Sequence, residues 1–458
     1  MIGLSLWIPN LLAQDLKPEE MREDLRIFRD GLERFHPEMH RYTDQESFEK
    51  RFSEIESVIK SPMDQRDFYK LLRPVLVDLK DGHVKWIVRG KDQHYGFFTE
   101  KLFPLHLYFE GERVKVLGNF GGEEVPALAE VKSINGMPIE AIRTKLLAGL
   151  TYGDGDSQGG KYYQLNRFFA AYFSTEFGVG DVYSVELLSK GKTLTWEGKG
   201  ISNDQIESKS EESDDPFAFK ITNGRTGILD INRFFSYKGE PNFKKFLKNT
   251  FETLSDDGIS DLILDLRGNE GGNEKLGIEL YRYLAQDKFR YYDYVTTKPN
   301  QKVEFEHYTS KIFRIANSFS KEKGGKYLFT KAPSKVQRPH KNAFSGNLIV
   351  LLDGQSFSVA PEFASRVQSD RRATIIGEET AGGAEVNSSG FFTILTLPHS
   401  HIDLGIPRLG FHMADLGSNM DKNRGIVPDQ IIIPSAEDIL NGKDPVMEKA
   451  LELVVRLR

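Results

Sequence analysis

A serine set just after a buried strand, with a Gly-Gly turn elsewhere in the chain to hold an oxyanion, could perform nucleophilic acyl chemistry. Ser358 stands in NLIVLLDGQSFSVAPEFAS (Asn347–Ser365), after the apolar run Leu348–Leu352 and at the start of a helical segment carrying Pro361 and Glu362 in its first turns. Proline is tolerated there because that amide has no intrahelical partner. A hydroxyl at a helix N-terminus sits in positive potential, and the Val359 amide beside it can face a developing negative oxygen. The plainer reading is a helix N-cap, and Ser356, two residues earlier, is a competing candidate. DLILDLRGNEGGN (Asp261–Asn273) is a second buried strand ending in glycines. Gly271 and Gly272 leave amides uncovered by side chains, suited to close approach of a carbonyl oxygen, though a plain strand–helix turn has the same look. No Gly-Lys-Ser/Thr follows, so it is not a phosphate loop.

A serine nucleophile needs a base. Of ten histidines, His83 sits in a glycine-containing turn, Asp81-Gly82-His83, between two structured segments, where Asp81 could orient its ring. A structural histidine fits the same position. His399 and His401 would share one strand face and could bind metal, but no third ligand is evident, and neither metal nor organic cofactor is expected.

These residues need a scaffold. A chain of 458 residues should divide into about three domains. Its 39% apolar residues suffice for cores, and the net charge of −6 gives no reason to expect nucleic acid. Cysteine is absent, excluding disulfides, thiolate metal sites and a cysteine nucleophile. No apolar run reaches the length of a membrane span. Residues 1–15 read as a possible signal remnant: Met1–Gln14 is uncharged and mostly apolar, without a basic leader, and Asp15 opens a charged stretch. The expected location is therefore extracytoplasmic, periplasmic or secreted.

Met21, Leu25, Phe28, Leu32 and Phe35, then Phe48, Phe52, Ile55 and Ile59, recur at helical spacing and predict a helical N-terminal domain over 16–92. Short strands follow over 93–205. Leu128–Ile134, the Asn135-Gly136-Met137-Pro138 turn and the helix Ile139–Leu147 resemble a PDZ module, with the polar, glycine-broken Tyr152–Phe177 read as an insertion. An acidic linker, Asn203–Asp215, leads into an α/β core over 206–458, where strand and helix patterns alternate. The polar Thr296–Asn342 stretch is too long for a simple connection and is expected to form a lid or subdomain.

LILDLRGNEGG, GQSFSVAPEFA, IIGEETAGG and GIVPD (Gly425–Asp429), preceded by HPEMHRY (His36–Tyr42), the LKDGHV turn and the PDZ-like segment, together resemble the tail-specific, C-terminal-processing serine protease family, over nearly the whole chain. That resemblance implies a crotonase/ClpP-like catalytic core, a polypeptide substrate, and Ser358 as nucleophile. In the Ser–Lys branch a lysine follows the Thr-x-Gly of the second glycine turn; Thr380-Ala381-Gly382 puts that position at Gly383, which has no amine. The other branch, the tricorn core and relatives of the interphotoreceptor retinoid-binding protein, takes a histidine from an upstream Asp-Gly-His turn, which His83 matches. Such members carry a further acid near the GVxPD strand, where Asp421 stands; Glu385 is another possibility, and the role could be vacant. The implied reaction is attack by Ser358 with His83 as general base, the oxyanion held by amides of Gly271 or Gly272 and Val359. A catalytically silent peptide- or ligand-binding protein, or a thioester-acting crotonase-type enzyme, are the competing expectations on this scaffold. Nothing in the sequence fixes the oligomeric state.

Overall fold

The computed structural model describes residues 15–88, 91–92, 97–207, 215–223, 225–303, 305–418 and 420–456. The expected signal remnant falls, except for Asp15, outside the described residues.

Three helices open the chain. Pro18–Phe35 buries Met21, Leu25, Phe28, Leu32 and Phe35, the face their spacing predicts. Asp44 and Asp64 cap Gln45–Val58 and Gln65–Leu79 by accepting from Ser47 N–H and Asp67 N–H. The third helix ends at Lys80 in a left-handed conformation (φ 51°), which turns the chain into Asp81-Gly82-His83. The core under these helices is shared with residues some three hundred positions later: Leu395, Leu397, Ile402, Leu404 and Ile406 pack among their apolar faces. Strand Lys85–Val88, just past His83, pairs antiparallel with Ile402–Met413, Trp86 opposite Leu404.

The central segment forms an antiparallel sheet of Leu105–Glu110, Arg113–Asn119, Glu130–Ile134, Val182–Ser189 and Lys192–Lys199, with the helix Ile139–Leu147 where the turn signal placed it. Tyr152–Phe177 is no polar insertion. Most of it is the helix Gly159–Phe177, whose Leu165, Phe169 and Phe173 belong to the core of this sheet. Its two leading glycines start the helix and do not break it.

The last part alternates strand and helix as expected. Thr226–Ile231, Asp261–Asp265, Asn347–Leu352, Thr374–Gly377 and Gln430–Ile431 run parallel, with Phe217–Thr222 antiparallel at one edge. Alternate residues serve opposite faces. Leu229, Leu262, Leu264, Leu348 and Val350 meet the layer containing Phe243–Asp256, Glu274–Arg282 and Val359–Ser369. Ile228, Ile263, Ile349 and Leu351 meet Val446, Ala450 and Val454 of Pro445–Arg456. Thr296–Asn342 adds strands to a second sheet: Glu306–Thr309 pairs with Val386–Thr396, and Lys326–Leu328 pairs with Tyr292–Thr297. The chain is thus mixed α/β, and no helix among the described residues is long and apolar enough to cross a membrane.

Candidate active site

Three turns at the C-terminal ends of adjacent parallel strands converge on Ser358. The turn after Asn347–Leu352 is fixed by the Asp353 carboxylate, which accepts from Gln355 N–H at 3.1 Å, Ser356 N–H at 2.9 Å and, across to the first glycine turn, Gly268 N–H at 3.0 Å. Ser356 is wholly buried, and its hydroxyl donates to Leu266 C=O at 3.0 Å, so it is a structural tie. Ser358 differs. It is half-buried, adopts φ 58° and ψ −114°, and its side chain makes no capping bond to the helix it precedes. A non-glycine residue in that region costs about 1–3 kcal/mol and is retained where the surroundings impose it. A strained serine on a strand-to-helix turn, its hydroxyl uncommitted among the described residues, is the geometry of a nucleophile elbow.

Phe357 N–H donates to Asn269 C=O at 2.9 Å, joining the Ser358 turn to Asn269–Gly272. A Cβ built on Gly271 would lie 2.6 Å from Ser358 Cβ and 2.9 Å from Val359 N, so only glycine fits that approach. Its amide, however, donates to Asn269 Oδ1 at 2.7 Å. Gly271 is therefore not a free oxyanion donor, because the side chain two residues earlier already takes its hydrogen. Gly272 and Val359, in the first turn of its helix, have N–H groups with no intramolecular acceptor among the described residues. On the third turn, Ala381 N–H donates to Ser356 C=O at 3.0 Å, and a Cβ on Gly382 would lie 3.1 Å from Ser358 N.

His83 arrives from the other end of the chain. Its ring stacks on Phe357, the residue before Ser358, at 4.2 Å between centroids and 19° between planes. A Cβ on Gly82 would lie 2.8 Å from Gly153 N and 3.0 Å from Phe357 Cζ, which explains the glycine in that turn. Burial pushes the imidazole down to about 3 against the pull of Asp81, so the ring is neutral at ordinary pH and can accept a proton. Nδ1 is buried without a hydrogen-bond partner among the described residues.

Two carboxylates border this imidazole. Asp81 Oδ1 accepts from His83 N–H at 2.9 Å, and Oδ2 lies 3.0 Å from His36 Nε2. Burial alone would raise Asp81, but His36 and His83 together hold it below the ordinary carboxylate range. Asp154 accepts from Gly82 N–H and Gly383 N–H, both at 2.8 Å, and is raised by burial and by the charge on Asp81. Nothing in the residue pattern singles out Asp154. Its faint signal is position, between Gly153 and Gly155, both at positive φ. It also accounts for Gly383: a Cβ there would meet Asp154 Cβ at 3.2 Å, so a carboxylate fills the space next to the position where the Ser–Lys branch has its amine.

Asp421 is exposed, its carboxylate accepting from Asn423 N–H at 3.0 Å within its own turn. The acids bordering His83 are Asp81 and Asp154, not Asp421. Glu385 pairs with Lys422 at 2.9 Å and with Arg41 at 3.6 Å. His399 and His401 do not share a strand face. They lie in the turn after Pro398, and His399 Nε2 contacts Glu23 at 2.9 Å.

An α/β core with a strained, uncapped serine beside glycine turns and a buried neutral imidazole defines a serine hydrolase of the peptidase kind. Residues 225–430 match the family model described as Peptidase family S41. The matched segment holds Ser358 and the three turns around it, is similar there to the tail-specific serine proteases, and supports a serine-type peptidase. Among solved structures it is similar to mature CPAF, with a TM-score of 0.63 at 14% identity over 95% of this chain and 96% of that one. It is also similar to mature CPAF complexed with lactacystin, with a TM-score of 0.65 at 15% identity over 95% and 97% of the two chains.

Proposed function

We propose that this protein hydrolyses peptide bonds of polypeptide substrates through an acyl-enzyme on Ser358, with His83 as general base. The observation that carries the assignment is the strained, uncapped Ser358, whose neighbour Phe357 is stacked against the His83 ring. Attack by Ser358 Oγ on the substrate carbonyl passes its proton to the neutral imidazole. The oxyanion takes the N–H groups of Val359 and Gly272, with Gly271 contributing only the closeness of its bare Cα. The imidazolium then protonates the leaving amine, and water, deprotonated by the same ring, releases the acyl group. Asp81 and Asp154 take the part expected of Asp421, favouring the imidazolium as it forms. The upstream Asp-Gly-His turn, with Asp154 next to Gly383, supports the histidine-using branch over the Ser–Lys branch.

The parallel sheet and its serine turn support a crotonase/ClpP-like core over 206–458. The antiparallel sheet with Ile139–Leu147 supports a PDZ-like unit over 93–205, able to bind a chain end by strand addition. A helical unit over 16–92 carries the His83 turn to the core. An extracytoplasmic location is part of the same reading, supported by the apolar Met1–Gln14.

A fluorophosphonate probe tests the assignment. Wild-type protein is expected to label covalently, Ser358→Ala not at all, and His83→Ala at least about 10²-fold more slowly, the lower range for losing a general base. Natively folded wild type that never labels would overturn it and favour a silent binding protein.

A further inference from the structure

We propose that Asp81, His83 and Asp154 form a binding site for one zinc-type dication, and that occupancy of this site switches the peptidase off. One ligand atom from each residue lies within 4.8 Å of the others, and all three side chains are buried. Tetrahedral Zn²⁺ with bonds near 2.0–2.1 Å separates its ligands by about 3.3 Å, so closure asks for ligand pairs to approach by up to about 1.5 Å. The carboxylates do not stand alone. His83 is 6% exposed, and its buried Nδ1 has no partner among the described residues, although an unpaired buried polar atom is costly.

An outer shell of donors is already present. His36 Nδ1 accepts from Glu38 N–H at 3.1 Å, which leaves its proton on Nε2, 3.0 Å from Asp81 Oδ2 though poorly aligned for a hydrogen bond. The two Asp154 oxygens are held by Gly82 N–H and Gly383 N–H. Ligating carboxylates oriented by second donors are a regular feature of metal sites. One imidazole and two carboxylates suit Zn²⁺ or Co²⁺, whereas Ca²⁺ takes six to eight oxygens and Mg²⁺ an octahedron. Three protein ligands leave a position for water. A dication would offset two buried negative charges, and coordination would occupy the imidazole lone pair.

The inhibitory part rests on His83 being the general base; the binding part does not. Chelator-treated full-length Ser358→Ala, which cannot digest itself, is titrated with Zn²⁺ by calorimetry and with Co²⁺ by visible absorption. One equivalent is expected per chain. Asp154→Asn, His83→Ala and the milder His83→Gln should each weaken it at least about 10-fold, with native circular dichroism confirming the fold, while His399→Ala should leave it unchanged. No stoichiometric binding by folded protein, or binding indifferent to all three substitutions, overturns the site. In wild type, Zn²⁺ should abolish turnover and EDTA restore it. Stoichiometric binding with no effect on turnover overturns the switch. Binding to a protein that never labels with fluorophosphonate keeps the site and refutes the peptidase assignment.

Discussion

Ser358 holds φ 58° and ψ −114°, a conformation glycine adopts freely and serine does not. Ser358→Ala and Ser358→Gly both remove the nucleophile, but only the glycine variant also removes the Cβ that creates the strain. Relief of about 1–3 kcal/mol is partly offset by glycine's greater freedom in the unfolded chain, about 0.4–1 kcal/mol. Ser358→Gly is therefore expected to be about 1 kcal/mol more stable than Ser358→Ala in denaturant titrations. Equal midpoints and slopes would mean that no strain is stored there. The sequence brought both Ser356 and Ser358 forward, because each follows a buried strand. What separates them, a tie to Leu266 in one and an uncommitted hydroxyl in the other, is a matter of dihedral angles and partners that residue types do not encode.

At the scale of elements, the glycine turn Asn269–Gly272 is built for contact with the Ser358 elbow, not for flexibility. Gly271→Ala would press a methyl against Ser358 Cβ and Val359 N while straining a residue at φ +99°. The expected result is a fall in kcat of about 10²-fold or more, the scale of losing one oxyanion donor, with KM much less affected. Unchanged kcat in a folded variant would show that the oxyanion is held elsewhere. This turn was readable in advance because a continuous apolar run, Leu262–Leu264, leads through Leu266 to its glycines. Asp154 was not readable. It lies far beyond His83 in the chain, in a segment whose glycines and polar residues look like an irregular insertion, and its two amide partners meet only after folding. Asp421 misled because matching a position in a motif carries no information on where a carboxylate points.

Across the whole molecule, the His83 turn is held in place by distant chain: Lys85–Val88 pairs with Ile402–Met413, and the opening helices close over Leu395–Ile406. Helices and strands were legible from periodicity, but this sharing of one core between the two ends was not, since each end reads as self-sufficient. The layer behind the serine also carries a buried acid. Glu362, in the Ser358 helix and 1% exposed, accepts from Tyr292 OH at 2.5 Å and from Asn387 Nδ2 at 2.6 Å. Burial outweighs both hydrogen bonds and pushes the carboxyl up to about 8, from an ordinary 4.5. A carboxyl that holds its proton more tightly folded than unfolded contributes stability below pH 4.5. That contribution is lost progressively as pH rises through about 8. Each tenfold difference in proton affinity is worth about 1.4 kcal/mol, so the loss amounts to a few kcal/mol in all. Glu362→Gln keeps the shape and removes the titration. Measured by urea unfolding at pH 5, 7 and 9, the variant should gain on wild type by a few kcal/mol across that range, and the other titrating groups cancel in the difference. A stability difference that stays flat with pH would mean that Glu362 does not change its proton between these limits, and that its buried hydrogen bonds hold the charged form as readily as water does.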